Sequence, residues 1–306
     1  MSAADEAVAD MMCCASCGIA EVDDIKLKTC DACDLVKYCS DTCQKEHRAQ
    51  HEAICKKRAA ELRDEMLFRQ PEGSHRGDCP ICFLPLPIDH NKSMLTSCCS
   101  KIICGGCDYA IQRREIEERL QQTCPFCRQR LAKTDEESDR NNMKRVVEAN
   151  DPVALHEAGK THHQEGNYDT AIEYFTKAAE LGDADAHFYL SFLYQKGEGV
   201  EKDEEREIYH LEEAAIAGHP GARNNLACYE WRNKRIDRAV KHWIIAANLG
   251  LDESIQELKQ CYIHGEVSKE VFAAALRAHQ AAVDATKSPQ REVVAKDMAA
   301  WGVRWA

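Results

Sequence analysis

The stretch KYCSDTCQKEHRAQHEAIC, residues 37–55, sets Cys39, Cys43, His47, His51 and Cys55 at intervals of four. Four residues is close to one helical turn, so a helix presents such side chains on one face. Thiols and imidazoles gathered this way suit three chemistries: disulfides, a metal site, or a nucleophilic cysteine. Three features decide among them. Sixteen of the 18 cysteines fall between Cys13 and Cys127, and only Cys228 and Cys261 lie beyond. Their spacings are short, and the segment has too few large aliphatic residues to build an ordinary core without a staple. The opening MSAADEAVAD has neither a basic n-region nor an apolar h-region, so no secretory signal is expected, and no run reaches the length of a membrane span. A reducing compartment, cytoplasmic and/or nuclear and not secretory, makes metal the expected staple and disulfides unexpected. Cys13 reads as a bystander.

In the first cluster the candidate ligands are Cys14-x2-Cys17, Cys30-x2-Cys33, Cys39-x3-Cys43 and His51-x3-Cys55. Structural zinc takes four nitrogen or sulfur ligands in a closed tetrahedron, so eight residues make two sites. The pairs can be joined neighbour to neighbour or interleaved. A catalytic cysteine is not expected here, because that chemistry needs an accessible lone thiolate with a base. No site lacks a protein ligand, so no metal-activated water is expected either, and no catalytic residue is assigned.

The run CASC…CDAC…YCSDTCQKEHRAQHEAIC resembles the MYND-type zinc finger over residues 14–55, including Tyr38-Cys39-Ser40 and Gln44. That resemblance implies the interleaved arrangement: Cys14, Cys17, Cys39 and Cys43 on a first zinc, Cys30, Cys33, His51 and Cys55 on a second. It also implies protein interaction, often with short proline-containing peptides. Where the family commonly has Trp after the first histidine, this chain has Arg48. His47 is left without a metal and reads as a packing or hydrogen-bonding side chain.

Cys79-Pro-Ile-Cys82, Cys98-Cys99, Cys104-x2-Cys107 and Cys124-x2-Cys127 supply eight further candidate ligands. The terminal CPIC and CPFC, with Arg128 next to the last ligand, resemble an all-cysteine RING finger over residues 79–127. The resemblance implies a third zinc on Cys79, Cys82, Cys104 and Cys107 and a fourth on Cys98, Cys99, Cys124 and Cys127. It further implies that Ile81, Pro125 and Phe126 form a platform for a ubiquitin-conjugating enzyme, with Arg128 bridging that enzyme and its ubiquitin. The adjacent Cys98 and Cys99 are both taken as ligands, with His90 the distant substitute if only one binds.

The elements that must carry these groups follow from composition. KKRAAELRDEMLF (56–68) is rich in helix formers and continues the helix bearing His51 and Cys55. QPEGSHRGD (70–78) reads as a loop, and DYAIQRREIEERLQQT (108–123) as a short amphipathic helix. Beyond a charged linker, the C-terminal half is repetitive. Ala178-Ala179, Ala214-Ala215 and Ala246-Ala247 set a register. Four residues after each first Ala stands Gly182, Gly218 or Gly250; further on stand Ala186, Ala222 and Ser254, then Leu190, Leu226 and Leu258. Phe175, Leu211 and Trp243 precede the pairs. A helix pair per repeat satisfies this pattern: small residues for close packing, glycine for a left-handed C-cap, large residues for the core. AAELGDADAHFYLSFLYQKGEGVEKD (178–203) resembles the Sel-one-like repeats, relatives of tetratricopeptide repeats. That resemblance implies a solenoid that offers a concave partner surface. Cys228 and Cys261 read as small apolar helix residues. His162-His163 does not read as a metal pair, because adjacent helix residues diverge.

The expected fold class is therefore small zinc-stapled modules, MYND-like then RING-like, followed by an all-α helical-repeat solenoid. The segments are a disordered N-terminus (1–12), the MYND-like finger (13–55), helix and linker (56–78), the RING-like finger (79–130), a charged linker (131–150), Sel-one-like repeats (151–286) and a tail (287–306) whose Trp301 and Trp305 dock back on the last repeat. Four Zn2+ are expected as cofactors. The expected partners are proteins: a conjugating enzyme, a peptide ligand of the first finger and a partner of the solenoid. A formal charge of −12, made more negative by zinc-bound thiolates, argues against a nucleic-acid surface.

Overall fold

One small hairpin and one long helix hold the first set of cysteines. The computed structural model describes residues 13–22 and 25–300; the expected disordered N-terminus and the docking of Trp301 and Trp305 lie outside the described residues. The chain divides into two compact units at Arg69/Gln70.

In the first unit, β1 (Lys28–Thr29) and β2 (Lys37–Tyr38) pair antiparallel, Lys28 opposite Tyr38. Helix α1 (Asp41–Leu67) follows without a break, so the helix of His51 and Cys55 does run on through residues 56–67. Ser40 caps it, its hydroxyl accepting from the Cys43 N–H at 3.2 Å. Of its described side chains only His51 and Leu67 are buried. The core is accordingly thin: Cys14, Cys30, Cys33 and Tyr38, backed by Leu27, Val36 and further cysteines. Such a core cannot offset the ordering of the chain by apolar burial alone.

The second unit opens with the loop 70–78, which is laid against the repeats: His75 N–H donates to the Gly218 carbonyl at 3.1 Å, and Asn248 Nδ2 to Gln70 Oε1 at 3.0 Å. The second cysteine module follows, with hairpin β3 (Ser93–Thr96) and β4 (Lys101–Cys104) and helix α2 (Gly105–Glu117). Its core is Cys79, Leu86, Ile103, Cys104 and Cys107 with Ile102 and Ile111. Helix α2 differs from the expected 108–123 at both ends. It begins at the third cysteine pair, which places Cys107 in its first turn. It stops because Arg119 adopts φ +55° and Leu120 N–H returns to the Glu115 carbonyl at 2.7 Å, swinging the chain toward the fourth pair.

Within the stretch expected as a charged linker lies helix α3 (Asp135–Ala149). Thr134 Oγ1 accepts from Glu137 N–H at 3.2 Å, and Asp135, Glu136 and Glu137 occupy the first turn, where the helix dipole favours them. It packs on α4 (Pro152–Gln164). The repeats then run α5 (Tyr168–Glu180), α6 (Ala184–Lys196), α7 (Glu204–Ile216), α8 (Pro220–Arg232), α9 (Ile236–Asn248), α10 (Asp252–Ile263) and α11 (Lys269–Ala285), neighbours packing in succession. The predicted register is the observed one. The three alanine pairs are buried, as are Phe175, Leu211, Trp243, Leu190, Leu226 and Leu258. Gly182, Gly218 and Gly250 sit at φ +87°, +90° and +95°, just past their helices. The next residue in each case returns its N–H to the first alanine's carbonyl (Asp183 to Ala178, His219 to Ala214, Leu251 to Ala246), a Schellman stop repeated three times. A final helix, α12 (Pro289–Ala300), packs against α2. No helix among the described residues is long and apolar enough to cross a membrane.

Candidate metal centres

Four Cys-x2-Cys turns share one backbone design. Each first cysteine's carbonyl accepts the N–H of the residue four later: Gly18 to Cys14 (2.8 Å), Asp34 to Cys30 (3.0 Å), Phe83 to Cys79 (2.8 Å) and Arg128 to Cys124 (3.0 Å). Those four residues all have φ between +56° and +74°. The turn aims the amides two and three residues on at the first sulfur. Burial opposes ionisation of these thiols, yet the amides outweigh it: Cys14 is drawn down to about 6, Cys79 and Cys124 to about 7, and Cys30 is lowered. The partners move the other way. The Cys17 and Cys43 thiols push Cys39 up to about 12, burial and Cys33 push Cys55 up to about 12, and burial raises Cys98 and Cys107. Four touching thiols cannot all ionise unaided; a dication resolves the conflict and releases the remaining protons.

The ligand atoms gather as two interleaved pairs of tetrads, each set lying within 4.8 Å: Cys14, Cys17, Cys39 and Cys43; Cys30, Cys33, His51 and Cys55; Cys79, Cys82, Cys104 and Cys107; Cys98, Cys99, Cys124 and Cys127. Two sulfurs on one tetrahedral zinc stand about 3.8 Å apart, given Zn–S of about 2.3 Å. The measured separations fit: Cys17–Cys39 3.5 Å, Cys39–Cys43 3.6 Å, Cys30–Cys55 3.8 Å, Cys82–Cys104 3.8 Å, Cys99–Cys124 3.6 Å and Cys98–Cys127 3.3 Å. His51 turns Nε2 to within 3.1 Å of Cys33 Sγ, and burial lowers its pKa, which favours the neutral, ligating imidazole. His47 is engaged elsewhere, its Nδ1 3.0 Å from the Tyr38 hydroxyl and its ring stacked on His51.

The neighbouring Cys98 and Cys99 reach one tetrad through a borrowed turn. Ser100 takes the left-handed position (φ +54°), its N–H bonding the Thr96 carbonyl at 2.8 Å, so Thr96 stands where a knuckle's first cysteine would. Thr96 Oγ1 lies 3.2 Å from Cys99 Sγ and donates to the Lys101 carbonyl. His90 is not part of this tetrad; its Nε2 lies 4.0 Å from Asp185 Oδ1. Asp185 Oδ1 also accepts from His75 Nε2 at 3.1 Å and lies 3.2 Å from His219 Nε2. His75, Asp185 and His219 are close enough to suggest a metal, but the local chemistry opposes it. His219 Nδ1 accepts the Ala222 N–H that starts α8, so Nε2 must carry the proton, and the two rings lie nearly parallel at 4.4 Å. Parallel rings send their lone pairs side by side. This is a hydrogen-bond hub that fastens the loop 70–78 to the repeats.

Of the platform residues expected in the second module, Ile81 and Phe126 are each 36 % exposed, and Pro125 and Arg128 are exposed as well. Phe83, 76 % exposed in the left-handed region, was not singled out by the sequence reading; its signal is a bulky apolar residue directly after a knuckle. In the repeats, His162 stacks on Tyr174 and His163 pairs with Glu198, while Cys261 is buried with Cys228 packed beside its cluster.

Comparison with known proteins places families on this geometry. The MYND finger model matches residues 14–55, and the Sel1 repeat model matches 153–183, 184–219 and 222–251. Among solved structures, a Sel1 repeat protein from Oxalobacter formigenes is 22% identical with a TM-score of 0.44, the match covering 64% of this chain and 86% of that one. A protective antigen of uropathogenic Escherichia coli strains that displays an SLR fold is 21% identical with a TM-score of 0.39, covering 54% of this chain and 37% of that one. No curated protein matches. The chain thus carries a MYND finger and Sel1 repeats, and its cysteine-rich modules, compatible with zinc, precede a helical-repeat solenoid. Both matched families are protein-interaction modules.

Proposed function

We propose that the second cysteine module is a RING-type finger that recruits a ubiquitin-conjugating enzyme, and that the MYND finger and the solenoid select what is ubiquitinated. The observation that carries this reading is the exposed apolar set on the two terminal knuckles, Ile81 and Phe126 with Pro125 and Phe83. Large apolar side chains on a small zinc module need a partner to leave water. Arg128 stands directly after the last ligand, and its planar guanidinium suits two acceptors at once. On this reading zinc is structural, holding the two knuckles at a fixed separation. Rate enhancement comes from positioning a charged conjugating enzyme and its acceptor lysine, with no acid, base or nucleophile from this chain.

A second reading, a non-catalytic scaffold or transcriptional co-regulator, is favoured by the two matched families, both of which are interaction modules. On it, Ile81 and Phe126 shield the zinc core and Arg128 only completes its turn. Incubating the purified chain with ubiquitin, activating enzyme, ATP and a panel of conjugating enzymes separates the two. The ligase reading expects ubiquitin chains with at least one conjugating enzyme, and about a tenfold loss in Ile81→Ala and in Arg128→Ala, equivalent to about 1.4 kcal/mol of partner positioning. No product with any conjugating enzyme, or undiminished product in both variants, leaves the scaffold reading standing.

A further inference from the structure

The third tetrad receives a side chain from the far end of the chain. Arg291, in the first turn of α12, donates from Nη1 to the Pro85 carbonyl at 2.7 Å. Its Nη2 donates to the Leu84 carbonyl at 3.3 Å and lies 3.5 Å from Cys82 Sγ. Nη1 also meets the carbonyl of Thr286 at 2.6 Å, and Ser288 Oγ accepts from the Arg291 N–H at 3.2 Å, which fixes the start of the helix. A guanidinium spanning two knuckle carbonyls and a ligand sulfur is placed by geometry, since its planar fork pre-sets the donor directions.

The backbone approach is equally close. Gly106 lies between Cys104 and Cys107, and a Cβ there would stand 2.8 Å from both Arg291 N and Arg291 Cγ. The first turns of α2 and α12 therefore touch directly beside the ligands. Farther along the same contact, the Tyr109 hydroxyl donates to Asp297 Oδ2 at 2.6 Å, and Val294 is buried. Four thiolates on one Zn2+ leave a net charge of −2. Outer-shell donors and counter-charges around such a site orient its ligands and tune the affinity. Among the described residues, Arg291 is the cation whose donors reach a sulfur of this tetrad.

We propose that Arg291 is the outer-shell positioning residue of the Cys79, Cys82, Cys104 and Cys107 site. Its guanidinium locks the first knuckle, offsets the charge of the tetrathiolate and makes zinc retention at this site depend on α12. The proposal stands apart from the ligase reading, because it concerns metal retention and not the recruitment of a partner.

The test uses the full zinc-loaded chain, challenged with a chromophoric chelator and followed by native mass spectrometry. N-ethylmaleimide alkylation and peptide mapping then report which cysteines are freed. Arg291→Met keeps the aliphatic volume and removes every donor. It is expected to release one zinc about 10–100-fold more readily, with labelling confined to the third tetrad. Arg291→Lys restores the charge without the fork and is expected to fall between Met and wild type. Tyr109→Phe loosens the far end of the same helix contact and is expected to ease release from the same tetrad by a smaller factor. A wild-type release profile in Arg291→Met overturns the proposal. So does release spread over all four tetrads, or loss of helical content in that variant together with unchanged release in Tyr109→Phe.

Discussion

Asp185 shows how one oxygen can tie a loop to a solenoid. Its carboxylate takes two imidazole N–H groups, from His75 and His219, with His90 nearby. Burial works against its charge, but the donors prevail and hold the carboxyl well below the usual carboxylate range. Its folded pKa is thus depressed, so its contribution is complete above the unfolded value of about 3.9 and is lost as pH falls below it. Asp185→Ala would leave two buried donors unpaired and is expected to cost about 3 kcal/mol. Chemical unfolding from about pH 8 down to about pH 3 checks this: the gap to wild type should hold near neutrality and shrink below about pH 4. A gap that is absent at neutral pH, or that widens on acidification, contradicts it. The ligand residues are legible in the sequence because Cys-x2-Cys is a local device, one turn aiming two sulfurs at a point. Asp185, Thr96 and Arg291 are not. Asp185 and Arg291 act on residues brought near by folding; Thr96 acts locally, on Cys99 and Lys101, but an Asp, a Thr or an Arg carries no spacing signal of its own.

Helices follow the same division. The repeat register was legible because small, glycine and large apolar positions recur, and every one of them packs as its period requires. Leu226, 2 % exposed between α7 and α9 neighbours, is one such position. Leu226→Ala is expected to destabilise the second unit by about 2–5 kcal/mol, the cost of lost burial plus the cavity. Unfolding followed by far-ultraviolet circular dichroism reads it directly, and a loss under about 1 kcal/mol would mean the repeat core is not where the register puts it. Helix α3 was read instead as a linker, since its charge density outweighed a Thr134-x2-Glu137 start signal. The true ends of α2 depend on a zinc ligand at its start and a left-handed Arg119 at its end, neither of which periodicity detects.

For the whole molecule, the two cysteine modules use one plan twice. Pairs one and three close one tetrad and pairs two and four the other, so neither half of a module is complete without the rest of it. Interleaving makes each module cooperative: losing a single ligand opens a loop that passes through the other site. It also explains how segments with so few large aliphatics fold at all, because metal binding energy replaces apolar burial. The repeats stand by a different rule, neighbour on neighbour, and need no metal. The claim on which the rest depends is that all four tetrads hold zinc. Native mass spectrometry of the full chain purified without chelator is the direct measurement. About four zinc per chain are expected, removed only with acid or strong chelator. Two zinc or fewer, with the cysteines of residues 79–127 open to alkylation, would contradict it.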